Sequence, residues 1–88
     1  MTTAREQALA VIREGYELHH GASQDPDLAL LEGDERYARG LAGLAAAGDL
    51  EAVHVLAEVI AASAAALGAG DEAAAEAAWE QGIRAWRD

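Results

Sequence analysis

Leu30-Leu31-Glu32-Gly33-Asp34-Glu35-Arg36-Tyr37-Ala38-Arg39-Gly40-Leu41 is the stretch that decides the class of fold. Leu30, Tyr37, Leu41 and, one turn on, Leu44 recur at three-, four- and seven-residue spacing, the period of one helix face. Asp25-Pro26 ahead of it supplies an N-cap and a proline at the first helical position, and Gly48 supplies a stop. These signals predict a helix over 26–47. Gly33, Gly40 and Gly43 inside it each cost about 1 kcal/mol relative to alanine, which is best explained by close approach of a second helix.

The same signals continue outward in both directions. Thr3-Ala4-Arg5-Glu6 forms a capping box, followed by Leu9, Ile12, Tyr16 and His19 on one face and Gly21 as a terminator, so a helix is expected over 4–20. Asp49 is placed to cap a third helix, about 50–67, with the stripe Val53, Leu56, Ile60, Ala64 and Leu67. Gly68-Ala69-Gly70 breaks the chain, and Asp71 caps a fourth helix over 72–86 with Ala75, Trp79, Ile83 and Trp86 on one side. No segment alternates as a strand does. Short connections favour antiparallel neighbours, so the expected fold is all-α: one domain, residues 1–88, in a small antiparallel up-down four-helix bundle.

Composition argues that this bundle is oligomeric. Of the 88 residues 24 are alanines, and only 17 are Leu, Ile or Val. A chain this short buries only about two thirds of its unfolded surface. An alanine methyl adds little beside the roughly 1.5–3 kcal/mol of a buried Leu or Val. A thin core of this kind is remedied by self-association or by a helical protein partner. The net charge of −10, with six arginines and no lysine, repels phosphate backbones and anionic lipid and argues against nucleic-acid binding. There is no cysteine for a disulfide framework or thiol chemistry. Arg5 and Glu6 stand where a signal peptide needs an apolar run, and no apolar stretch reaches ~18 residues. The expectation is a cytoplasmic protein without membrane insertion.

Glu17-Leu18-His19-His20, the Gly33-Asp34-Glu35-Arg36-Tyr37-Ala38-Arg39-Gly40-Leu41 helix, and the Gly48-Asp49 break before Leu50-Glu51-Ala52-Val53 together resemble the middle of a polyprenyl diphosphate synthase, over roughly residues 17–67. Enzymes of that family hold magnesium with aspartates at i, i+1 and i+4 on a helix to ionise an allylic diphosphate. At the equivalent place this chain has Gln24-Asp25-Pro26-Asp27, with a helix-breaking proline and no paired aspartates. The family's Arg-Arg-Gly segment and second Asp-rich helix are also missing. Asp34 and Glu35 are adjacent acids, but Ala38 cannot complete a triad. The resemblance therefore implies a scaffold without catalytic residues. Asp34 is carried over as a structural residue, and Gly33, Tyr37, Gly40 and Leu41 as packing residues near an interface. It also implies a role like that of the small helical subunits that lack catalytic motifs and control a full-length prenyl synthase. Trp79 and Trp86 fit anchors of a core or interface.

Two alternatives belong to other classes. The space lined by Leu30, Tyr37, Leu41, Leu56 and Ile60 suits an isoprenoid- or quinone-type lipid carrier. Two Glu-x-x-His elements, Glu17/His20 and Glu51/His54, with lone carboxylates from Glu32 or Asp34 and from Glu76 or Glu80, match the ligand count of a ferritin-like iron or manganese bundle. At ~100° per residue, however, Glu51 points away from the predicted face of its helix, and Glu17 lies off the Leu9/Ile12/Tyr16 face. His19-His20 also reads simply as a histidine pair favoured by the negative end of a helix.

Overall fold

The computed structural model describes residues 3–21 and 23–87, with side chains to residue 84. Its described residues form four helices and no strand: α1 (Ala4–His20), α2 (Pro26–Ala46), α3 (Leu50–Gly68) and α4 (Glu72–Arg87). They associate as two compact units, residues 1–49 and 50–88, each a helical hairpin. The chain is all-α, and each predicted helix exists within a residue or two of its expected bounds.

The ends of the helices form for the reasons the sequence gives. The Thr3 hydroxyl accepts from the Glu6 amide at 3.1 Å, and Asp25 and Asp71 carboxylates accept from the amides of Leu28 and Ala74. α2 and α3 both stop in a left-handed glycine. Gly48 has φ 77° and Gly70 φ 78°, a region where a side chain would crowd the backbone. Around Gly48 the amides of Gly48 and Asp49 donate to the Ala45 and Leu44 carbonyls. Around Gly70 the amides of Gly70 and Asp71 donate to Leu67 and Ala66. Two otherwise orphaned carbonyls are thus satisfied at each end. Gly21 ends α1 differently, in extended backbone with its amide on the Glu17 carbonyl.

In the first hairpin α1 and α2 run antiparallel, because contacts step down α1 as they step up α2. His19 meets Leu30, Gly15 meets Gly33, Ile12 meets Gly40, and Arg5 meets Asp49. The Asp49 carboxylate, expected to cap α3, receives a forked pair of hydrogen bonds from the Arg5 guanidinium, with Nη2 at 2.9 Å. The buried seam consists of Ala8, Ile12, Gly15 and Tyr16 against Ala29, Gly33, Tyr37, Gly40 and Leu44. Gly33 and Gly40 are therefore close-approach glycines as expected, but Gly43 is not: a Cβ there would meet nothing within 4 Å. Leu30, expected on the core face, is 47% exposed, and Leu41 is only half-buried. The seam is carried by glycines and tyrosines instead, which a count of aliphatic residues does not register.

The second hairpin pairs α3 with α4. Val59 seats against Gly82, and the two lie about equally far from the connecting turn, as antiparallel packing requires. Its buried side chains are Ala52, Leu56, Val59 and Ser63 from α3 with Ala75 and Trp79 from α4. Of the stripe predicted on α3 only Leu56 is buried; Val53, Ile60 and Leu67 are half-buried and Ala64 is exposed. α3 is apolar nearly all round, so periodicity alone could not fix its phase; the notch at Gly82 does. Ser63 tolerates burial because its hydroxyl donates to the Ile60 carbonyl at 3.1 Å. Trp86 lies outside the residues whose side chains are described. By length and composition α3 is long and apolar enough to cross a membrane, which corrects the expectation that no segment of the chain is; 22% of its apolar window is buried.

Candidate functional site

The densest group of chemistry-bearing side chains sits where the end of α1 crosses the start of α2. α1 brings Tyr16, His19 and His20 to this crossing, and α2 brings Gly33, Asp34 and Tyr37. The His19 imidazole lies where a Gly33 side chain would be, so the missing Cβ is what admits the ring. Nε2 of His19 is 3.2 Å from the Leu30 carbonyl oxygen and 3.1 Å from Asp34 Oδ1. Both are acceptors, so this nitrogen carries the proton and donates. The ring also tilts onto Tyr37, with centroids 5.0 Å apart.

Burial pushes the Tyr37 phenol up to about 12, and the neighbouring Asp34 carboxylate adds to the shift. The tyrosine is thus held neutral across the physiological range. The sign of the pH effect follows. The fold binds this proton more tightly than the unfolded chain, whose phenol titrates near 10.0, so Tyr37 contributes stability that is complete below pH 10 and lost as pH rises towards 12. We expect ultraviolet tyrosinate titration to show one phenol ionising only with unfolding. The Tyr37→Phe variant should keep more of its helix signal in that window.

His20, next to His19, stacks on Tyr16 with centroids 5.4 Å apart and planes 12° from parallel, and the Arg13 guanidinium lies over the same tyrosine at 5.1 Å. His20 Nδ1 is buried without a hydrogen-bond partner. The other candidate ligands have neighbours of their own. Glu17 accepts from Arg13 at 3.1 Å, and His54 pairs with Glu58 at 3.2 Å, one turn beyond it rather than with Glu51 one turn before. Glu51 and Glu80 are exposed, while Glu32 and Glu76 are half-buried. Among the described residues no three His, Asp or Glu side chains gather into a metal-holding group.

A groove of about 190 Å³ opens on the first hairpin, with Ala4, Ala8, Val11, Arg39, Gly40 and Gly43 among its lining. That is below the ~300–1,000 Å³ of most small-molecule sites. Within this hairpin Leu30 and Tyr37, expected to line a lipid-sized space, are respectively exposed and packed into the helix contact. Sequence reasoning placed His19 on one face with Ile12 and Tyr16 but missed its insertion at Gly33, and it missed Gly15, which closely approaches the Gly33 carbonyl and the Tyr37 ring. The available signal was Gly33, a costly glycine facing α1 with no helix end to justify it.

The arrangement is suited to fixing two helices in register. Asp34 engages His19, Gly33 admits it, and Tyr37 closes over it, while Nε2 is already committed to two acceptors. No protein-family model matches the chain, and no characterised protein or solved structure is significantly similar to it.

Proposed function

We propose that this chain acts by association rather than by chemistry, as a small non-catalytic helical interaction protein that is oligomeric or serves as an accessory subunit. The observation that carries this reading is surface left open by a short chain. Leu31 is 68% exposed and Leu50 70%, and 22% of the apolar window of α3 is buried. A two-helix hairpin has one seam, and an apolar second face on the same helix is stabilised only by another element. In this reading each hairpin completes an antiparallel up-down four-helix bundle with a further hairpin. The helical partner is the chain itself or, following the Gly33-Asp34 helix and its neighbours, a full-length prenyl synthase in the cytoplasm.

Sedimentation across a concentration series, together with capture from the native host, tests the proposal. The expected result is a mass above that of one chain, or a stoichiometric prenyl synthase or other helical protein retained through washing. A monomer at every concentration that retains no protein overturns it.

A further inference from the structure

We draw no further inference here: the strongest candidate, the His20 ring stacked on Tyr16 at the end of α1 with its Nδ1 buried and without a hydrogen-bond partner, belongs to the site already described, and nothing in the structure shows what ligand chemistry would meet that nitrogen.

Discussion

Gly15→Ala is expected to destabilise the first hairpin by about 1–3 kcal/mol, although alanine is the better helix former by ~1 kcal/mol. The new methyl would lie 2.8 Å from the Gly33 carbonyl oxygen and 2.8 Å from the Tyr37 ring. Neither neighbour can give way cheaply. The carbonyl belongs to α2's own backbone, and the ring is held between helices with His19 against it. The helices must therefore separate, which loosens the Ile12–Gly40 contact further along the seam and the His19 insertion at its end. For a domain of this size such a loss lowers the melting temperature by roughly 5–15 °C. Gly43→Ala is the matched control. With nothing within 4 Å of its Cβ it should gain about 0.5–1 kcal/mol from helix propensity alone. Thermal melts of the two variants side by side are decisive: equal shifts in the same direction would mean that α1 and α2 do not approach closely at Gly15.

Trp79→Ala is expected to cost about 3–5 kcal/mol and to melt the second hairpin. Trp79 is 5% exposed and is the largest side chain in a seam otherwise made of Leu56, Val59 and small residues. Few methylenes remain to hold α3 against α4 once the indole is gone, and total stability in small domains is of the same order as this loss. Leu50→Ala provides the contrast. A leucine 70% exposed contributes little to the fold, so its loss should leave stability within about 0.5 kcal/mol. Denaturant unfolding followed by far-ultraviolet circular dichroism checks both. A small loss at Trp79 would place the indole's work outside the hairpin.

Sequence and structure agree where the physics is local. Thr3, Asp25 and Asp71 cap because a short oxygen-bearing side chain reaches an amide two or three residues on. Gly48 and Gly70 stop helices because only a residue without Cβ turns left-handed at no cost. They diverge where a face must be chosen. On α2 the aliphatic count favoured Leu30, yet the buried line runs through Ala29, Gly33, Tyr37 and Gly40. On α3 nearly every face is apolar, so the pattern leaves the packed face undecided and the notch at Gly82 chooses it.

The candidate site divides the same way. That Asp34 has a structural task was implied only by the resemblance its Gly-Asp pair carries. That His19 Nε2 comes within 3.1 Å of its carboxylate, and that His20 instead stacks on Tyr16, could not be anticipated, since adjacent histidines at a helix end differ by ~100° in direction and only the facing helix distinguishes them.

The amino-acid sequence by itself determined four helices, their ends and turns, and an acidic chain with too few large apolar residues for a thick core. Each of these depends on neighbours within about four positions or on composition. Only the tertiary structure decided which glycines bring helices together, which histidine enters the seam and which face of α3 meets α4 at Gly82. Those choices turn on the shape of a surface contributed by residues far away in the chain.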